Sequence, residues 1–269
     1  MRFLTAASIS LLIPLSTSTS LPPPQYLFSN PPTTNDNIPS TYRIPTVHES
    51  AIQARRILHL ESIGTLSTIF PSSSSNPSTL ETRPEDVGGA PIGLMDYFAD
   101  CEPGSGNPTI LAISIATSFK NVASGSNITL SLRWHPPFSH IRPRPVSPAS
   151  LPRFSLIGQL QELSIEEAKA GGVAECFVKY HPDAVAWLPG NKIHESKWVR
   201  LVVEELYWIG GFGDRAYIGW IPVDEWKGVT QEEVEKCRLP GESRKGWMGE
   251  WWDMVAGTAS ADKHPVWEL

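Results

Sequence analysis

Residues 198–226, WVRLVVEELYWIGGFGDRAYIGWIPVDEW, decide the fold. Val199, Leu201, Val203, Tyr207 and Ile209 alternate with Trp198, Arg200, Val202, Glu204, Leu206 and Trp208. β-Branched and aromatic residues dominate, as a pleated strand requires. Both sets are largely apolar, which predicts a strand covered on two sides. Glu204 and Glu205 mark the place where it meets water or a pairing partner. Gly210, Gly211 and Gly213 then permit a tight reversal. Residues 216–221 return as a second strand that Pro222 stops. The stretch therefore specifies a long hairpin in a closed or nearly closed sheet.

Around this hairpin lie 269 residues, enough to bury a sizeable core, with 41% hydrophobic content and a formal net charge of −6. That balance excludes the concentrated basic footprint of a nucleic-acid surface. The N-terminus carries Arg2, an apolar run over residues 3–15 and small residues from Ser16 to Ser20. This is the layout of a secretory signal peptide cleaved near Leu21. The run is too short for a bilayer, which needs about 20 apolar residues, and no other stretch qualifies as a span. The expected destination is the extracellular space or a secretory or vacuolar lumen. Cys101, Cys176 and Cys237 allow at most one internal bridge and fit no metal-site spacing. For Cys176, a bridge and a small apolar helix position both stand.

The chain divides by composition into a signal peptide over 1–20, a Pro/Ser/Thr-rich disordered segment over 21–45, a domain over 46–226 and a Trp-rich tail over 227–269. Within the domain, residues 49–60 give a helical stripe of Ile52, Ile57, Leu58 and Leu60, with Arg55 and Arg56 on the solvated side. Strands follow over 63–70, 89–99, 109–115, 127–134 and 154–163, with a short helix over 117–122. Between the fourth and fifth strands runs a proline-dense stretch carrying His135, His140, Arg142, Arg144 and Arg153. It reads as an anion-binding loop or as a solvated one. Ser164 and Glu167 form a capping box for a helix burying Ile165, Ala168, Val173, Cys176, Phe177 and Tyr180. Gly171 and Gly172 mark a close contact or a break in it.

This order is similar to the α+β split β-barrel of FMN-binding proteins of the pyridoxamine-phosphate-oxidase type, and most closely resembles the CREG family of secreted glycoproteins. The motifs are ARRILHLESIGTLST at 54–68, YHPDAVAW at 180–187 and WIGGFGDRAYIGW at 208–220. The resemblance implies a homodimer. It also implies an FMN phosphate site on the second strand, the third strand and the helix after it. Ser114, Thr117, Lys120 and Asn121 match the second half of that site. The second strand, GAPIGLMDYFA, offers no Arg or Lys, and Asp96 would repel a phosphate.

The leading expectation is therefore a protein that acts by binding, with a degenerate cofactor site and no cofactor. The alternatives are an FMN-dependent oxidoreductase and, from the GGFG resemblance, a haem- or tetrapyrrole-binding protein. Trp208, Arg215 and Trp220 are candidates for an aromatic pocket, a dimer contact or core packing. His181 and His194 lack a nucleophile at a recognisable elbow, so a satisfied histidine is expected at each. Asn127-Ile128-Thr129 is the acceptor sequon for N-glycosylation.

Overall fold

In the computed structural model, which describes residues 43–72, 83–136, 147–213 and 216–242, six antiparallel strands close into a barrel. The strands are β1 (Ile63–Ile69), β2 (Pro91–Ala99), β3 (Thr109–Ile113), β4 (Ile128–Arg133), β5 (Arg153–Glu162) and β6 (Ser196–Ile209). They run in the order β3-β2-β1-β4-β5-β6, and a β3–β6 pairing completes the ring. A seventh strand, β7 (Ile218–Ile221), pairs with the far end of β6. The helices are α1 (Val47–Leu60), α2 (Thr117–Ala123), α3 (Ile165–Ala170), α4 (Val173–Tyr180), α5 (Val223–Gly228) and α6 (Gln231–Lys236). This is the α+β split barrel expected from the sequence. The signal-peptide reading, Arg215, the His140–Arg142–Arg144 part of the basic stretch and the four tail tryptophans lie outside the described residues.

The long strand β6 serves two neighbours on one edge. Its first five residues, Ser196 to Arg200, pair with β3, and its last four, Leu206 to Ile209, pair with β7. Between these halves the register against β5 shifts: Ile157 faces Glu205 while Gly158 faces Val203, leaving Glu204 as the extra residue of a bulge. A bulge inverts which side chains face inward. Val199, Leu201 and Val203 are buried before it, and Leu206 and Trp208 after it. The apparent two-sided character of the sequence is thus, in its second half, a change of parity. Tyr207 faces outward. Gly158 makes the bulge possible, because a Cβ there would lie 1.9 Å from the Val202 carbonyl oxygen.

The first half of β6 is covered on both sides. Its inward residues join the main core with Leu66, Leu130, Leu132, Phe154 and Leu156. On the outer side Trp198 packs with Ala99, Leu111, Val173 and Phe177 in a second cluster formed under α3 and α4. The Ser164–Glu167 capping box starts α3 as expected. Gly172, at φ +59°, ends the run and lets the chain restart as α4. Ile165 is exposed and not part of the buried stripe, because the break redirects that stripe through Ala168, Val173 and Phe177. A disulfide between Cys101 and Cys176, with Cα atoms 5.8 Å apart, ties α4 to the segment after β2. Cys237 is free.

Helix α1 starts from a Thr46–Glu49 capping box and buries Ala51, Ala54, Ile57 and Leu58. Ile57 and Leu58 each contribute about 1.5–3 kcal/mol by leaving water. The two arginines of this helix are not solvated. Arg55 is 1% exposed: Nη1 donates to the Trp226 carbonyl at 3.1 Å, Nη2 donates to the Pro103 carbonyl, and its cation lies 5.1 Å from the Trp226 ring centre. Burial lowers its pKa and the Asp100 charge opposes that shift. Arg56 pairs with Glu242. Trp226 and Glu242 come from beyond β7 and Pro103 from the segment between β2 and β3, where a sequence-local helical wheel cannot see them. Leu60 is likewise exposed. His48 fastens the same helix to α5 and α6, with Nδ1 2.8 Å from Glu225 and Nε2 3.1 Å from Glu233.

Candidate ligand groove

Because Leu66, Leu130, Leu132, Phe154, Leu156 and Trp208 point inward, the residues alternating with them face out. On one wall of the barrel these are Thr65 of β1, Ser131 and Arg133 of β4, Arg153 and Ser155 of β5, and Tyr207 and Ile209 of β6. They line a groove of about 360 Å³. Through Thr65, Ser131 and Arg133 it runs into a second hollow of about 430 Å³ bounded also by Glu61, Ile63, Met95 and His135. The strand register sets the chemistry of its floor. Ser131 faces Ser155, and their hydroxyls bond at 2.8 Å. Arg133 faces Arg153 directly.

The surroundings of these two cations are defined. Arg133 Nε donates to His135 Nε2 at 2.6 Å. A guanidinium only donates, so Nε2 accepts and the imidazole proton sits on Nδ1, 3.0 Å from Glu61 Oε2. Glu61 Oε1 accepts from the His135 backbone at 2.6 Å. Arg153 makes long contacts to the carbonyls of Ala149 (3.3 Å) and Leu151 (3.5 Å). Among the described residues neither guanidinium forms an ion pair. The basic stretch noted in the sequence thus contributes His135 and Arg153 to this wall. Arg133, Ser131, Ser155 and Thr65 were not singled out. Their signal was the polar set alternating with leucines in ITLSLR and RFSL, but only the register across the intervening loop places one arginine opposite the other.

The residues matched to an FMN phosphate site occupy the β3–α2 connection and α2 itself. Ser114 is exposed and donates its backbone N–H to the Glu195 carbonyl at 2.9 Å. Thr117 and Lys120 are partly buried on α2. Asn121 is 1% exposed and its amide donates to Thr68 Oγ1 at 3.0 Å, so its side chain clamps α2 to β1. On β2, Asp96 is partly buried, and desolvation raises its carboxyl pKa. The strand supplies no cation. Ser114, Thr117 and Lys120 could still face a phosphate together with backbone N–H groups, but the opposing half of such a site has no positive charge.

Trp208 and Trp220 do not wall one pocket. Trp208 is fully buried against Phe154, ring centres 5.9 Å apart. Trp220 is 54% exposed and meets Tyr207 edge-on at 5.2 Å. They belong to opposite faces of the β6–β7 ladder. His181 is buried between α4 and the following turn, stacked on Tyr97 at 4.0 Å, with Nε2 donating to the Phe98 carbonyl at 2.9 Å. His194 is partly exposed in the loop before β6. Asn127 is exposed immediately before β4. No helix among the described residues is long and apolar enough to cross a membrane, and none of their His, Cys, Asp and Glu groups forms a metal-binding cluster.

Residues 45–228 match the family model described as CREG, beta-barrel. No curated protein matched the sequence. Among solved structures, a heme binding protein from Mycobacterium smegmatis is similar at 17% identity and TM-score 0.49, over 68% of this chain and 61% of that one. The chain thus spans less than two thirds of that protein. HutZ, the heme storage protein from Vibrio cholerae, is 12% identical at TM-score 0.38, over 62% of this chain and 94% of its own. A putative pyridoxamine 5'-phosphate oxidase from Listeria innocua is 10% identical at TM-score 0.35, over 60% and 98%.

Proposed function

The chain belongs to the CREG β-barrel family, and on that footing we propose that it is a secretory-route protein that binds a ligand at its barrel wall and does not turn it over. One observation carries this reading: the polar groups lining the groove are cations and hydroxyls, and the imidazole beside them is held on both nitrogens, between Glu61 and Arg133. A general base needs a ring nitrogen free to exchange its proton with substrate. His181 is likewise committed, to the Phe98 carbonyl.

The Cys101–Cys176 bridge supports folding in an oxidising compartment. The exposed Asn127 supports glycosylation there. Met95 at 79% exposure, Ile63 on the same flank, and Trp220 and Ile218 across the groove support a homodimer that covers this wall. The alternative, an FMN-dependent oxidoreductase, draws on Ser114 and Thr117 at the β3–α2 connection. It would have to anchor a dianionic phosphate without a cation on β2.

Expression through a secretory host tests the reading. The purified protein is expected to be colourless, to begin near Leu21 and to lose carbohydrate in Asn127→Gln. A mature chain beginning at Met1, or a preparation carrying the visible absorption of flavin or haem, would count against it.

A further inference from the structure

Arg133 and Arg153 occupy directly opposed positions of the β4–β5 ladder. Like charges so placed repel and destabilise a sheet. The lining of the groove holds no carboxylate, and among the described residues neither guanidinium forms an ion pair. Glu61, the carboxylate of the adjoining hollow, has both oxygens engaged by His135. Between and beside the two cations stand the hydroxyls of Thr65, Ser131 and Ser155, with Tyr207 and Ile209 continuing the groove. Two planar forks of donors flanked by hydroxyls are the chemistry that recognises an oxyanion. An aromatic and an aliphatic side chain alongside them suit an apolar body. The volume of about 360 Å³ falls in the range of small-molecule sites.

We propose that this groove binds a small ligand whose oxyanion, a phosphate monoester or a carboxylate, sits between Arg133 and Arg153 while its apolar or aromatic body lies along Tyr207 and Ile209. The site is separate from Ser114, Thr117 and Lys120, which lie on the β3–α2 connection and on α2 and do not line the groove. It gives the ligand class for the binding reading above and rests on it.

The test is titration of the full-length protein with phenyl phosphate, benzoate and inorganic phosphate, with benzyl alcohol as the uncharged control, at two chloride concentrations. The aryl anions are expected to bind about tenfold or more tightly than benzyl alcohol, and less tightly at high chloride. Arg133→Gln and Arg153→Gln should each weaken them about tenfold, the loss of one charge-assisted contact. The same variants should melt at or above the wild-type temperature, because each relieves the repulsion. Phenyl phosphate ahead of benzoate would point to a phosphate ester, the reverse order to a carboxylate, and either supports the site. Benzyl alcohol binding as tightly as the anions would overturn the oxyanion assignment and leave the binding reading intact. Conversion of a bound anion to product would overturn the non-catalytic reading and leave the site intact. Should a variant fail to fold, the wild-type protein decides alone: no rise in melting temperature with phenyl phosphate, against chloride at equal ionic strength, refutes the proposal.

Discussion

Removing the Cys101–Cys176 bridge in a Cys101→Ala/Cys176→Ala variant tests how the outer helical layer is held. The bridge has a sequence separation of 75 residues. Leaving a loop of that size open returns about 15 cal/mol/K of entropy to the unfolded chain, which lowers stability by about 4.5 kcal/mol at 25 °C. Native bridges usually deliver somewhat less, about 2–5 kcal/mol, so a loss of about 3–4 kcal/mol is the expected outcome. At about 2–4 °C per kcal/mol for a domain of this size, the melting temperature should fall by roughly 6–16 °C. Urea unfolding should also show a larger m-value, because the released chain exposes more surface when unfolded. Wild-type protein in reducing buffer should behave as the variant does. The bridge joins α4 to the end of β2 beside the cluster of Ala99, Leu111, Phe177 and Trp198. A loss under about 1 kcal/mol would mean that this layer is held by packing alone, and would refute the reasoning.

Two further outcomes follow from single residues. Gly158→Ala should cost about 3 kcal/mol or more, measured by urea unfolding, since its Cβ would lie 1.9 Å from a backbone oxygen that cannot rotate away; a near-neutral result would contradict the bulge. His48 has its pKa raised by its bonds to Glu233 and then Glu225, so its stabilisation is complete below the ordinary imidazole value and fades as pH rises through the raised one. Stability should therefore decline as pH rises above the ordinary imidazole value of about 6.5 in wild type and less so in His48→Gln, and identical pH profiles would contradict the latch. The partner Glu233, held down to about 2 by the Thr230 backbone and by His48, gives stabilisation present above its unfolded value and lost as pH falls towards 2.

How much was legible before the structure varied with the range of the interaction. Alternation in β1, β4 and β5, the capping box at Ser164, and the break at Gly171–Gly172 are local, and local chemistry specified them. The parity of β6 was not. Glu204 and Glu205 read as the place where the strand meets water or a pairing partner; a bulge also needs a partner that tolerates close approach, and Gly158 lies far back in the sequence, on β5. Arg55 and Arg56 read as solvated because their partners, Trp226, Pro103 and Glu242, arrive from distant segments. Asn121 matched a phosphate-site position through the family resemblance, yet α2 turns it towards Thr68. The groove itself depended on register across residues 134–152, which composition alone presents as a basic loop.

Calorimetric titration with FMN tests the central claim most directly. Of the residues matched to a phosphate site, Asn121 is committed to Thr68, and β2 contributes no cation. Each missing charge-assisted hydrogen bond is worth about 1.5–3 kcal/mol, so two weaken binding by roughly two to four orders of magnitude. The account predicts no flavin at purification and a Kd no tighter than high micromolar. Submicromolar FMN binding that is lost in Lys120→Ala would contradict it and establish the oxidoreductase reading.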